Sequence, residues 1–119
     1  MATVVIIEAE DEMRQILAGV LEHGGHKAIN FPDAELALGA INFAHVDLVI
    51  TDLAMPMRGE HAIHILRSSG ANMPIIVVSG VLKPGEDIAL QTIGVDRVLS
   101  RPIDIKMLLS TIDELLPAC

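Results

Sequence analysis

Val46-Asp47-Leu48-Val49-Ile50-Thr51-Asp52-Leu53-Ala54-Met55-Pro56 is the stretch that decides the fold. Its first part is apolar and β-branched, the pattern of a strand covered on both faces. It delivers one carboxylate, Asp52, to the strand's end, and a Pro-directed turn follows. A carboxylate at such an exit sits where open α/β sheets bind ligands and do chemistry. The plainer reading makes Asp52 a turn or cap residue ahead of Met55-Pro56.

Working outward, short β-rich runs alternate with helical patterns along the whole chain. Strands are expected at Thr3–Ile7, His26–Asn30, Val46–Thr51, Pro74–Val78 and Val95–Leu99. Helices are expected at Glu10–His23, from Pro32-Asp33 to about Ala44, at about Glu60–Ser69, at Pro84–Ile93 and at Asp104–Leu116. Met13, Ile16, Leu17, Val20 and Leu21 fall on one face of the first helix, and Gly24-Gly25 stops it. Asp33 and Asp104 are candidate N-caps. No linker, repeat or low-complexity segment interrupts the pattern, so residues 1–119 read as one α/β domain. Strict alternation predicts a doubly wound parallel sheet, with right-handed crossovers and helices on both faces.

Composition narrows the function classes. Half the residues are apolar (51%), which excludes a disordered chain. The formal net charge is −8, with no run of Lys or Arg and no Trp or Tyr. Nucleic-acid binding needs clustered positive charge and is not expected. No apolar run is long enough for a bilayer, and no basic n-region with an apolar block marks a signal peptide. The lone Cys119 cannot form an internal disulfide, so a reducing cytoplasm is the expected location.

Parallel strands gather their carboxyl ends on one edge. The first strand brings Glu8-Ala9-Glu10 there, the third Asp52, the fourth Ser79-Gly80, and the fifth Ser100-Arg101-Pro102. Carboxylates, a hydroxyl and a cation form a set that can hold a divalent cation through oxygen, or a phosphoryl group. An Asp carboxylate can also act as a nucleophile and form an acyl phosphate.

With those pieces in order, the chain resembles the receiver domain of two-component response regulators over essentially its whole length. The pieces are Val4-Val5-Ile6-Ile7-Glu8 with Arg14, Asp52-Leu53-Ala54-Met55-Pro56, Ile75-Ile76-Val77-Val78-Ser79-Gly80, and Arg101-Pro102. The resemblance implies a flavodoxin-like (βα)5 sheet of strand order 2-1-3-4-5. It implies a phosphorylation-controlled signalling switch, not an enzyme, with Asp52 taking a phosphoryl group from a histidine kinase or phosphotransfer protein. Ser79 and Arg101 would contact that group. Glu8, Asp52 and the backbone carbonyl of Ala54 would face Mg²⁺. A downstream protein or effector domain would read the state, and the fourth helix and fifth strand are the family's usual output and dimer surface.

The chain departs from the family pattern at several of these positions. Ala9 stands where a second acid normally contacts Mg²⁺, so metal binding should be weak. Glu8, one methylene longer than Asp, could reach inward to compensate; Glu10 is a further candidate, though at a helix start it is expected to face solvent. Arg101 replaces a Lys, and a planar fork is not a compact ammonium. Val98 replaces the aromatic switch residue, and Gly59 arrives one residue early after Pro56. Ala54 and Val81 occupy the two positions that set phosphoryl lifetime, and neither can orient an attacking water, so slow self-hydrolysis is expected.

Plainer readings stand beside the sharp ones. Glu8 has a plainer reading as an exposed strand-end acid, and Ser79 as a hydroxyl bonded to backbone, with the site role favoured for both. Arg101 has a second reading as a permanent ion pair with Glu8 or Asp52 that locks one state. In that case the chain is an unphosphorylated pseudo-receiver, a constitutive docking module. A small hydrolase with an aspartyl nucleophile would need a further acid/base and a cap insertion, which this pattern lacks. His61 and His64 share a helix face but read as solvated residues. Ile88, Leu90, Ile93, Ile105, Leu109 and Ile112 are core residues or a partly exposed contact patch.

Overall fold

The computed structural model describes residues 2–52, 59–80 and 83–116. The elements are β1 (Thr3–Ile7), α1 (Asp11–His23), β2 (Lys27–Phe31), α2 (Ala34–Ala40), β3 (Leu48–Asp52), α3 (Gly59–Ser68), β4 (Ile75–Ser79), α4 (Glu86–Thr92), β5 (Arg97–Ser100) and α5 (Ile105–Leu115). All strand pairs are parallel, in the order β2-β1-β3-β4-β5. This is the flavodoxin-like sheet that the alternation and the resemblance led us to expect.

The period-two alternation of strands splits each central strand between two cores. Val5, Ile7, Val49, Ile75 and Val77 pack with Ala34, Ala37, Ala62, Ile63, Leu66 and Leu90 from α2, α3 and α4. Val4, Ile6, Leu48, Ile50, Ile76 and Val78 pack with Leu17 and Leu21 of α1 and Leu108 and Ile112 of α5. The register keeps each set in line, with Val5 beside Val49 and Val49 beside Ile75. Burial on both faces explains the unbroken apolar runs in β1, β3 and β4. Each such side chain stabilises the fold by about 1.5–3 kcal/mol.

Asp33 caps α2 by accepting from Leu36 N at 2.8 Å, and Asp104 caps α5 by accepting from Lys106 N at 3.0 Å and Met107 N at 3.2 Å. Two boundaries differ from expectation. α2 stops at Ala40, because Ile41 is extended and Asn42 Oδ1 accepts from Ala44 N at 3.0 Å, starting a separate 3-10 turn over Phe43–His45. β5 starts at Arg97, because Val95 N still donates to Leu90 O at 3.0 Å and so closes α4. Asp96 then accepts from Ile75 N at 2.8 Å and pairs with Arg67 at 3.1 Å. The other ends shift by one or two residues, which moves no site residue to another face.

Candidate functional site at the carboxyl edge of the sheet

The same alternation that sends Ile6 and Ile50 to the α1/α5 side carries on to Glu8 and Asp52. β1 and β3 are direct neighbours, with Ile7 opposite Thr51. Glu8 and Asp52 therefore leave adjacent strands at the same level. Glu8 is held there from several directions. Its N–H donates to Phe31 O at 3.1 Å, and its carbonyl accepts from Arg14 Nη1 at 2.9 Å. Its Oε2 accepts from Glu10 N at 3.2 Å. Arg14 also pairs with Asp11, so the turn into α1 is tied to the end of β1.

Arg101 comes from the far side of the sheet. Its N–H donates to Ser79 O at 2.9 Å, which continues the β4–β5 ladder past Ser100. Its peptide bond to Pro102 is cis. From this anchor the side chain crosses the edge, and Nη2 donates to Asp52 Oδ2 at 2.7 Å and to Glu8 Oε1. The Glu8 side chain is 4% exposed, Asp52 12% and Arg101 23%. This is a largely buried acid–guanidinium–acid bridge. Two carboxylates brought together away from water repel each other, and the shared cation offsets both that repulsion and part of their desolvation.

Ser79 ends β4, one step beyond Val78, the register partner of Asp52. It is buried, and its carbonyl ties it to Arg101. The structure thus brings Glu8, Asp52 and Arg101 into bonded contact and sets Ser79 at the neighbouring strand end. Glu8 is not the exposed strand-end acid of the plainer reading. Ala54, Val81, Met55 and Met57 lie outside the described residues. Glu10 faces solvent as expected, and Ala9 is also exposed. Val98 packs half-buried against the α2/α3/α4 core. His61 and His64 are exposed. Of the apolar set on the last elements, Leu90 and Ile112 are core, Ile93 and Leu109 are half-buried, and Ile88 and Ile105 are exposed. The sequence reading used Arg14 only as part of a motif. Its bond to the Glu8 carbonyl went unforeseen, although a cation in the first turn of the helix that follows a strand-end acid is a usable signal.

A family model described as the response regulator receiver domain matches residues 4–113. The chain belongs to this family. The two-component response regulator PhoP of Pseudomonas aeruginosa is 30% identical over 113 residues, 94% of this chain and 50% of that protein. The autoinducer sensor kinase/phosphatase CqsS of Vibrio cholerae is 26% identical over 92% of this chain and 16% of its own length. The chain therefore spans half or less of these curated relatives. Among solved structures, the Vibrio cholerae chemotaxis protein CheY4 superposes with a TM-score of 0.90 at 24% identity, covering 98% of this chain and 99% of that one. The receiver domain of Francisella response regulator 1452 gives 0.87 at 23% identity, covering 97% and 96%.

Receiver domains are signalling modules of two-component systems, and an aspartyl phosphate is their characteristic modification. They interact with histidine kinases or phosphotransfer proteins and with effector domains, and they generally bind Mg²⁺ at the phosphorylation site. Among the described residues, no helix is long and apolar enough to cross a membrane.

Among the described residues, the side chains at this edge fit Mg²⁺ poorly. That ion takes near-octahedral oxygen coordination at about 2.0–2.1 Å. Here a guanidinium nitrogen bonds both carboxylates, and Ala9 supplies no side-chain oxygen. Among the described residues, no group of three or more His, Cys, Asp or Glu side chains is gathered for a metal.

Proposed function

We propose that this receiver domain is a phosphorylation-controlled switch with Asp52 as the phosphoryl acceptor, supplied by a histidine kinase or phosphotransfer protein. The observation that carries the reading is the convergence of Asp52 and Arg101 at the carboxyl edge, at 2.7 Å. A nucleophilic carboxylate beside a fixed guanidinium is the arrangement an incoming phosphoryl group needs. Ser79 and Arg101 hold the phosphoryl oxygens. Glu8, Asp52 and the Ala54 carbonyl are the oxygens that would face Mg²⁺, and any hold on that ion is weak, because Ala9 replaces an acid and Arg101 bonds both carboxylates. The domain works in the cytoplasm with a downstream protein or effector domain, and pairs with a second copy through α4 and β5, where Ile88 is 66% exposed.

The Glu8–Arg101–Asp52 bridge also favours a second reading, a pseudo-receiver held permanently in one state as a docking module. Treatment with acetyl phosphate separates the two. The switch gains the mass of one phosphoryl group, and Asp52→Asn does not. A wild-type chain that gains nothing supports the docking module.

A further inference from the structure

We infer that the Arg101 guanidinium stands in for the divalent cation of this receiver, so that phosphoryl transfer to Asp52 proceeds without a metal. The inference rests on the acceptor reading of Asp52. Arg101 Nη2 already bonds a carboxylate oxygen of each acid that would face a metal, Glu8 and Asp52. A metal taking those same two oxygens, Glu8 Oε1 and Asp52 Oδ2, would have to displace that nitrogen. The Arg101 backbone is pinned to Ser79 O at 2.9 Å, and losing the side-chain contact would take the counter-charge from Glu8, whose side chain is 4% exposed and would keep the bond from Glu10 N. Ala9, exposed beside Glu8, offers no compensating ligand.

The guanidinium also has donors to spare. A single nitrogen holds both carboxylates, and among the described residues Nε and Nη1 make no hydrogen bond. A guanidinium stays charged at every working pH and presents its N–H groups in a rigid plane suited to phosphoryl oxygens. With acetyl phosphate as donor, one Asp52 carboxylate oxygen forms the new bond to phosphorus. The bond from phosphorus to the acetyl oxygen breaks, and acetate leaves with the electron pair. Negative charge on the transferring phosphoryl oxygens is met by Nε–H and Nη1–H.

The test labels the full chain with acetyl phosphate in excess EDTA and in excess Mg²⁺, following the adduct by intact mass. The wild-type rates should agree within about twofold. A double variant, Ala9→Asp with Arg101→Lys, should label at least about tenfold faster in Mg²⁺ than in EDTA. A second readout needs no phosphoryl donor: Mg²⁺ should leave the wild-type thermal midpoint unchanged and raise that of the double variant. Wild-type labelling that needs Mg²⁺ overturns the inference and leaves Asp52 as acceptor. No label on Asp52 in either condition overturns both. A wild-type midpoint that rises with Mg²⁺ as far as the double variant's also counts against it.

Discussion

Arg101 holds Asp52 at 2.7 Å across a sequence separation of 49 residues, and the same nitrogen holds Glu8 across 93. The contact joins the last strand to the first and third, the strands it does not pair with in the sheet. It therefore bears on stability as well as chemistry.

Arg101→Ala leaves two buried carboxylates facing each other, and removing one partner of a buried ion pair costs about 3–5 kcal/mol. Urea unfolding should show a loss near the lower end, because Arg101 is partly exposed. Adding Asp52→Asn to Arg101→Ala should recover part of the loss, since the repulsion between the two facing carboxylates is gone. Additive losses would mean that the two side chains are not coupled.

Ser79→Ala removes a hydroxyl at the end of β4 while the backbone bond from Arg101 N to Ser79 O remains. Loss of one donor to a developing oxyanion costs roughly 10²-fold. Acetyl phosphate labelling should slow by a comparable factor with little change in the urea midpoint. An unchanged rate would remove Ser79 from the phosphoryl contacts.

The opposite edge of the sheet supplies a control. Arg67 donates to Gly94 O at 2.7 Å, to Ala71 O at 3.0 Å and to Met73 O at 2.8 Å. Gly94 has φ +109°, and a Cβ there would lie 2.7 Å from Arg67 Nε. Gly94→Ala combines left-handed strain with that clash and should destabilise by about 2 kcal/mol. Labelling of the folded fraction should be unaffected. A parallel loss of labelling would show that this edge and the site are coupled.

The acyl phosphate should outlast the labelling reaction, because Ala54 and Val81 lack the polar atoms that position a water. Mass spectra taken after the donor is removed will give the decay, and Val81→Gln should quicken it. Rapid loss from the wild type would mean that another group orients the water.

Most of the fold was legible because each physical signal was local. Apolar runs marked the doubly buried strands, and Asp33 and Asp104 marked helix starts. The end of α2 was harder to read, because the Asn42 side chain competes with the helix for a backbone N–H and composition does not record that outcome. Val95 read as strand because it is apolar and buried, yet its N–H belongs to the end of α4. At the site, strand-end positions picked out Glu8, Asp52, Ser79 and Arg101. The sequence offered Arg101 two roles, since the reach of a long side chain is set by packing rather than spacing. The structure shows it bonded to both acids at once. Arg14's hold on the Glu8 carbonyl depends on a turn geometry that spacing alone did not supply.

The most direct test is chemical mapping of residue 52. Borohydride reduces an acyl phosphate of Asp to homoserine, so acetyl phosphate treatment, reduction and peptide mass mapping read the acceptor itself. The account predicts homoserine at position 52 in the wild type and unmodified Asn in the Asp52→Asn variant. Unreduced Asp at position 52, with the label elsewhere or nowhere, would contradict it.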